Sequence, residues 1–307
     1  MHKKAELPPG VTVLERGWLS SNNIVSIGRH STALVDSGYA THAAQTVTLV
    51  QQALGPRLLD ALVNTHLHSD HCGGNALLQT TYPELTTRIP HGLAAEVSQW
   101  DPVTLGYEPT GQQCPPFRCD TLLRNGDSVE LGDWFWQVHS APGHDPDAII
   151  LYQPEYGVLI SGDALWENGF GVVFPELEGE QGFAEVARTL DLIESLRPRT
   201  IIPGHGAVFS NVPAALSVAR KRLEGFVNNP DKHALHAGKV LLKFKLLEWQ
   251  QVSRKDLEAW ALRTRYVTQL HERHFGNLPI TSWLAELLLS LERSGAARMH
   301  RDTVFNQ

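Results

Sequence analysis

The sequence predicts an α/β domain followed by a smaller, mainly helical domain. Short apolar runs alternate with helical segments over residues 1–210, as they do in layered α/β folds. From Asn211 onward the charge changes sign, with 15 basic and 9 acidic side chains, against 11 basic and 24 acidic before it. A chain of 307 residues that is 42% hydrophobic is long enough for both domains. We therefore predict one domain over residues 1–210 and a second over residues 211–307.

The elements of the first domain are bounded by Gly and Pro. Ile24 to Val35 reads as two short strands around a glycine turn, and Thr41 to Leu54 as a helix that Gly55-Pro56 ends. The apolar run from Leu58 to Val63 is typical of a buried strand. Further along, the sequence predicts successive short strands from Asp127 to Ile160 and a helix from Gly182 to Leu196.

The second domain is predicted as helices followed by a terminal hairpin. The predicted helices are Pro213 to Val227, Ala237 to Trp249, Arg254 to His274 and Ser282 to Arg293. Ser253 and Asp256 fit a capping box ahead of the third helix, and Gly295 is an end signal after the fourth. The alternating stretch from Ala297 to Phe305 predicts a short β hairpin.

The most informative motif is His66-Leu67-His68-Ser69-Asp70-His71, directly after the predicted strand that ends at Val63. Four potential metal ligands in six residues make a poor core, because each buried polar group needs a partner. His144, Asp163 and His205 also lie just past apolar runs. These positions together give seven nitrogen and oxygen ligands, which is enough for two metal ions that share one carboxylate.

With these motifs in this order, the chain resembles the metallo-β-lactamase-fold hydrolases from about Leu14 to Phe209. Ser21-Asn22-Asn23-Ile24-Val25 and Ala33-Leu34-Val35-Asp36-Ser37-Gly38 belong to the same match. The resemblance implies a four-layer αββα sandwich. It also implies that His66, His68 and His144 bind one metal, that Asp70, His71 and His205 bind a second, and that Asp163 bridges them. Asp36 would orient a ligand from behind, or form an Asx-type turn.

The ligand types narrow the chemistry that the resemblance implies. Asp163 in place of a Cys argues against lactamases with a thiolate ligand, and His68 in place of a Glu argues against diiron oxygen reductases of this fold. Two divalent ions acidify water and polarise a carbonyl or phosphoryl oxygen. We expect Asp70 and Asp163 to be the catalytic residues, with Asp70 orienting the attacking hydroxide. Zn²⁺ is the expected metal, while Mn or Fe also suits such ligands.

Three functions fit this site. The first is hydrolysis of a small-molecule acyl ester, thioester or lactone, with the basic C-terminal domain binding a phosphate-bearing group or docking on the acidic domain. The second is a ribonuclease or phosphodiesterase, in which the basic domain holds a nucleic acid. The third is a metal-containing binding or signalling protein with little turnover. A mononuclear iron oxygenase is a more distant alternative, because it would leave the second ligand set without a role.

The remaining features concern surroundings and location. The segment Ser98 to Asp120, rich in Pro and Gly, is either a lid or wall over the site or a disordered insertion. Trp166, Phe170 and Phe174 either line the pocket or belong to the core. Three cysteines and no signal peptide or membrane span predict a cytoplasmic protein. The helices and terminal hairpin also resemble the winged-helix-like tail of the β-lactamase-like 2 group.

Overall fold

A computed structural model describes residues 6–307. The chain divides into two compact units, of which the first runs to Leu105 and resumes over Gln113–Leu223. The second unit comprises Gly106–Gln112 and Glu224–Gln307. The helix Val212–Val227 contributes residues to both, so the predicted boundary after residue 210 stays a prediction. None of the helices in residues 6–307 has the length and apolarity needed to cross a membrane.

The first unit contains two β-sheets. Its six-stranded sheet has the order β1-β2-β3-β4-β5-β6, with antiparallel pairing from β1 to β3 and parallel pairing from β3 to β6. These strands are Val11–Leu14, Asn23–Ile27, Thr32–Val35, Ala61–Val63, Thr86–Pro90 and Thr121–Leu123. The five-stranded sheet has the order β11-β10-β9-β8-β7 and is antiparallel except where β10 pairs with β11. Its strands are Ser128–Leu131, Trp134–Ser140, Ile149–Gln153, Val158–Gly162 and Thr200–Pro203.

The main core lies between the two sheets. Alternate residues of each strand point to opposite faces, so one set of side chains packs in this core and the other set packs against helices. Ala33 and Val35 of β3 join a cluster that also contains Val138 and Ile160 of the second sheet. Leu34, between them, instead packs in a cluster with residues of two helices, Val50, Leu54, Leu78 and Tyr82. Full burial of one such side chain contributes about 1.5–3 kcal/mol. The predicted layered α/β sandwich is thereby confirmed.

The helices of the first unit lie between these strands in the chain. They are a short 3-10 turn Ala40–His42, then α1 (Ala43–Leu54), α2 (Ser69–Cys72), α3 (Asn75–Thr81), α4 (Ala94–Gln99), α6 (Phe174–Glu178) and α7 (Gly182–Leu196). The bounds of α7 match the prediction. The predicted strand from Leu58 is wrong at its start, since β4 begins at Ala61 and Leu58 is 69% exposed. There, Thr32 Oγ1 donates to the carbonyl of Leu58, so a side-chain hydrogen bond replaces strand pairing.

The second unit is mainly helical, as predicted. It contains α5 (Tyr107–Thr110), α9 (Pro230–Trp249), α10 (Arg254–Arg263), α11 (Arg265–His274) and α12 (Ile280–Arg293), while α8 (Val212–Val227) joins the units along the chain. A three-stranded antiparallel sheet has the order β12-β14-β13, with strands Gln251–Ser253, Ala297–His300 and Thr303–Asn306. The terminal hairpin is confirmed, and its third strand was not predicted.

Local hydrogen bonds explain where the helices of this unit begin and end. The predicted start of α9 at Ala237 is wrong, because Asn229 caps the helix seven residues earlier by accepting from Lys232 N. The predicted single helix from Arg254 is two helices, since Thr264 takes an extended conformation (ψ 107°). Ser253 is confirmed as the N-cap, because its Oγ accepts from Asp256 N at 3.0 Å. The Asp256 carboxylate accepts from Ser253 Oγ at 2.6 Å, whereas in a full capping box it would accept from the Ser253 backbone N.

Candidate metal centre

The loop after β4 is held in place by Asp36, which directly follows β3. Asp36 has a positive φ of 57°, a conformation that Asp tolerates better than most residues. Its carboxylate accepts from Thr65 N and from Thr65 Oγ1, both at 2.8 Å, and lies 2.8 Å from His71 Nδ1. Asp36 therefore fixes both the backbone of the motif loop and the orientation of the His71 ring.

The first group of candidate ligands is formed by three imidazoles. One ring nitrogen of each of His66, His68 and His144 lies within 4.8 Å of the others. His144 Nδ1 lies 2.5 Å from the carbonyl of Val172, to which it donates, so Nε2 is left to face His68 Nδ1 at 2.8 Å. His66 Nε2 is buried and has no hydrogen-bond partner. A buried nitrogen in this state is poorly accommodated by protein alone, and a cation satisfies it.

The second group contains both carboxylates. Asp70, His71, Asp163 and His205 each place one ligand atom within 4.8 Å of the others. His205 Nε2 lies 3.0 Å from Asp70 Oδ2, and His71 Nε2 lies 3.4 Å from Asp163 Oδ1. The other oxygen of Asp163 lies 3.5 Å from His144 Nε2, which belongs to the first group. The Asp163 carboxylate therefore faces both groups.

Burial and charge set the protonation of these groups. Burial is the main cause that lowers the pKa of His68 and of His144 to about 4, and it lowers the pKa of His66 well below its ordinary value. These three rings are neutral at physiological pH, which is the form that binds metal. Burial also opposes the charge on His71, but Asp163, Asp36 and Asp70 outweigh it and raise the His71 pKa well above its ordinary value.

The two carboxylates of the second group remain ionised. Burial alone would raise the pKa of Asp163, but His205 and His71 outweigh it and hold that pKa well below its ordinary value. The pKa of Asp70 is lowered in the same way, where burial is outweighed by His71 and His205. Buried ionised carboxylates beside imidazoles are the donor set of a divalent cation site, once the imidazoles have released their protons.

Two glycines leave room for these side chains. A Cβ atom on Gly204 would lie 2.2 Å from Asp163 Oδ1, and one on Gly171 would lie 2.3 Å from His144 Nδ1. Any larger residue at either position would displace a candidate ligand. Gly204 is part of the Pro-Gly-His stretch that the sequence singles out, whereas Gly171 carries no local signal.

The structure brings together all seven ligand positions that the sequence predicts. It also places two of three predicted pocket aromatics at the site: Trp166 is 5.6 Å from the His205 ring, and Phe174 is 5.2 Å from the His68 ring. Phe170 is only 1% exposed and belongs to the core. Sequence reasoning missed Trp18, whose ring stacks on His205 at 5.3 Å.

The segment Ser98 to Asp120 contains the end of α4, the helix α5 and extended chain. Cys114 in this segment brings its Sγ to 3.8 Å from the Sγ of Cys72, which follows His71. The chain at Cys114 therefore lies close to the motif loop near α2. Its role as a lid over the site stays a prediction.

Comparisons with known proteins identify the family of the chain. Residues 16–205, more than half of the chain, match the family model of the metallo-beta-lactamase superfamily. An acyl-coenzyme A thioesterase, MBLAC2 of Gallus gallus, is 25% identical over 66% of this chain and 80% of its own length. A hydroxyacylglutathione hydrolase of Bdellovibrio bacteriovorus is 32% identical over 47% of each chain. The persulfide dioxygenase ETHE1 of Bos taurus is 28% identical over 46% of this chain and 45% of its own length. The match covers about half the length of the second and third of these relatives.

Among solved structures, the family protein TTHA1429 from Thermus thermophilus has a TM-score of 0.54 and 20% identity, covering 98% of this chain and all of that one. TTHA1623 in a di-iron-bound form has a TM-score of 0.53 and 23% identity, over 68% of this chain and 98% of its own. Both likenesses concern the fold. The chain belongs to the metallo-beta-lactamase superfamily.

Proposed function

We propose that the chain hydrolyses small-molecule acyl thioesters, or related acyl esters and lactones, at a dinuclear metal centre. In this proposal one ion is bound by His66, His68 and His144, and a second by Asp70, His71 and His205. Asp163 would supply a carboxylate oxygen to each ion. The single observation that carries the proposal is the position of the Asp163 carboxylate, with one oxygen 3.4 Å from His71 and the other 3.5 Å from His144.

The donor set fits two divalent ions. The buried nitrogen His66 Nε2 has no hydrogen-bond partner, and the Asp163 carboxylate faces both groups. When bound, two such ions supply Lewis acidity that acidifies water and polarises a carbonyl oxygen. Zn²⁺ is the metal we expect, and Mn or Fe would suit the same nitrogen and oxygen ligands.

The residues of the chain have separate tasks in this proposal. Asp70 is the more exposed carboxylate, with 14% of its side chain accessible against 7% for Asp163, and it would orient the attacking water by accepting a hydrogen bond from it. Trp166 Nε1 donates to Asp163 Oδ1 at 3.1 Å and fixes the rotation of that carboxylate. Asp36 keeps the His71 ring aligned from the opposite side.

The leaving group favours a thioester. The five histidines of the two groups all serve as candidate ligands, so none of them is assigned to protonate a leaving group. A thiol has an ordinary pKa of about 8.5, and its thiolate therefore leaves readily without prior protonation. Two relatives are named for acyl compounds, acyl-coenzyme A and hydroxyacylglutathione. These names support the same substrate class.

A phosphodiesterase is the second candidate, because residues 211–307 carry 15 basic and 9 acidic side chains. Nucleic-acid cleavage that depends on this charge would weaken steeply with salt, since bound counterions are released on binding. Small thioesters with little charge would not show this dependence. With thioesters that carry no phosphate, the salt response therefore separates the two candidates.

The test combines elemental analysis with a turnover screen of thioesters, esters, lactones and short RNA at two salt concentrations. We expect two equivalents of metal per chain and thioester hydrolysis that changes little with salt. Elemental analysis also identifies the metal. RNA cleavage that falls steeply with salt would favour the phosphodiesterase, and one iron with no hydrolysis of any substrate would contradict the proposal.

A further inference from the structure

Trp18 presents an exposed aromatic face at the second ligand group. Its side chain is 55% exposed, and its ring stacks on that of His205 with a centroid distance of 5.3 Å and an interplanar angle of 10°. Trp166 packs edge-on against Trp18 at 5.3 Å and against His205 at 5.6 Å. We call the pair Trp18 and Trp166 the aromatic ledge.

The loop that carries Trp18 is fixed to the loops that carry the candidate ligands. Ser21 N donates to the carbonyl of Asp70 at 2.9 Å, and Asn22 N donates to the carbonyl of Gly204 at 2.7 Å. The Asn22 side chain donates further to the carbonyls of two neighbouring residues, Pro203 at 3.0 Å and Gly206 at 2.7 Å. These hydrogen bonds fix the position of the Trp18 loop relative to Asp70 and His205.

Arg16 stabilises the N-terminal end of this loop. Its backbone N donates to Asn22 Oδ1 at 2.9 Å, and its guanidinium donates to Asn23 Oδ1 at 2.6 Å and to Thr46 Oγ1 at 2.9 Å. An exposed indole on a loop with this many anchors is preorganised before any ligand arrives. Preorganised aromatic surface binds apolar groups at little cost in conformational entropy.

We propose that the aromatic ledge contacts the apolar group attached to the reacting carbonyl, which makes Trp18 a specificity-determining residue. This inference rests on the proposed thioester hydrolysis. A carbonyl that reacts between the two ligand groups lies near His205. One face of the Trp18 indole covers that same ring, and the rest of the indole is left exposed beside it. An acyl chain, or an apolar thiol, that leaves the centre on this side covers the indole and removes apolar surface from water.

The experiment measures kcat/KM for wild type, Trp18→Ala and Trp18→Phe on two series of thioesters. One series varies the acyl chain from two to twelve carbons with a fixed thiol, and the other varies the thiol with a fixed acetyl group. We expect Trp18→Ala to lose about tenfold on the most apolar substrates and little on the smallest, in line with the discrimination of apolar pockets. Trp18→Phe should recover most of this loss, because it keeps an aromatic ring.

The series in which the loss grows identifies which side of the carbonyl the ledge contacts. Phe135→Ala is the matched control, since Phe135 is an aromatic residue of β8 with 64% exposure, and it should leave kcat/KM unchanged along both series. Metal content is measured for each variant. An equal loss on every substrate, or a loss of metal from Trp18→Ala, would show that Trp18 only supports His205 and would overturn the inference.

A binding measurement separates this inference from the proposed function. Dodecanoate serves as the probe, and its dissociation constant is measured for the metal-loaded wild type and for Trp18→Ala. If the wild type hydrolyses no thioester, the proposed function fails, but binding about tenfold weaker in Trp18→Ala would still support the ledge. Equal dissociation constants in the two proteins, together with a kcat/KM ratio that stays constant along the thiol series, would overturn the ledge.

Discussion

The two ligand groups differ in charge although they lie side by side. The group of His66, His68 and His144 consists of imidazoles that burial keeps neutral, with the pKa of two of them at about 4. The second group contains Asp70 and Asp163, and these carboxylates raise the pKa of His71 well above its ordinary value. In the absence of metal, the first group is therefore ready to bind a cation. The second has to release a proton first.

The difference follows from what surrounds each group. The His144 ring is oriented by a backbone carbonyl, that of Val172, which adds no net charge. The His71 ring is oriented by the carboxylate of Asp36, which favours a protonated ring. The structure thus contains two ways of fixing a ligand, one neutral and one ionic, and the following predictions test them against each other.

The largest effect is expected from Asp163→Ala, because this carboxylate faces both groups. We expect metal loss from both groups and a fall in kcat/KM of at least about 100-fold, the upper range for loss of a group that only supports a ligand. Elemental analysis and thioester turnover provide the measurement. Asp133→Ala, which removes an acidic side chain paired with Arg29, is the control and should keep its metal. Normal occupancy and turnover in Asp163→Ala would refute the shared carboxylate.

A smaller and one-sided effect is expected from Asp36→Asn. This change keeps the size of the side chain but removes the charge 2.8 Å from His71 Nδ1. Metal affinity of the second group should fall about 10- to 100-fold. The affinity of the first group should stay close to wild type, because the Asn side chain keeps an oxygen that accepts from Thr65 N and so keeps the motif loop in place. A competitive chelator titration resolves the two affinities. An equal fall in both affinities would contradict the idea that Asp36 acts on the second group alone.

Proton release gives the next test of the comparison. The raised pKa of His71 means that the ring is protonated below that pKa, so affinity of the second group rises with pH through the neutral range. His68 and His144, with pKa values of about 4, are already neutral there and give no such slope. Calorimetric titrations in buffers of different ionisation enthalpy should count roughly one proton for the second ion and almost none for the first. Equal proton counts for both ions would contradict the assignment.

The parts of the site that the sequence predicts are those in local motifs. His66, His68, Asp70 and His71 occupy six residues after a strand, and the spacing alone suggests shared ligation. Trp18 lies in no motif, and its role arises because the loop from Arg16 to Asn22 is bonded to residues nearly 200 positions away, such as Gly204. Such contacts form only when the two sheets have packed together, so no local sequence pattern predicts them.

The same reasoning explains the fold predictions. In the helix Gly182–Leu196, buried apolar residues recur at helical spacing along the whole length, and the helix ends before Pro198. Its predicted bounds are therefore correct. Strand β12 has three residues, Gln251–Ser253, and pairs with residues 303–305, about fifty positions later. A strand this short has too few residues to show a period of two, and only its partner defines it.

The smallest effect is expected from the hydrogen bond of Trp166. Trp166→Phe keeps a ring beside Trp18 and His205 but removes the Nε1 donor to Asp163 Oδ1, 3.1 Å away. A buried hydrogen bond to a charged group contributes about 1.5–3 kcal/mol of stabilisation, and its loss costs less where water replaces the donor. We therefore expect kcat to fall roughly three- to tenfold, with KM nearly unchanged. Phe174→Leu is the comparison, because its ring packs on His68 of the first group at 5.2 Å without donating a hydrogen bond. A larger fall in kcat for Phe174→Leu than for Trp166→Phe would show that packing around the neutral group controls the rate more strongly than the orientation of the shared carboxylate.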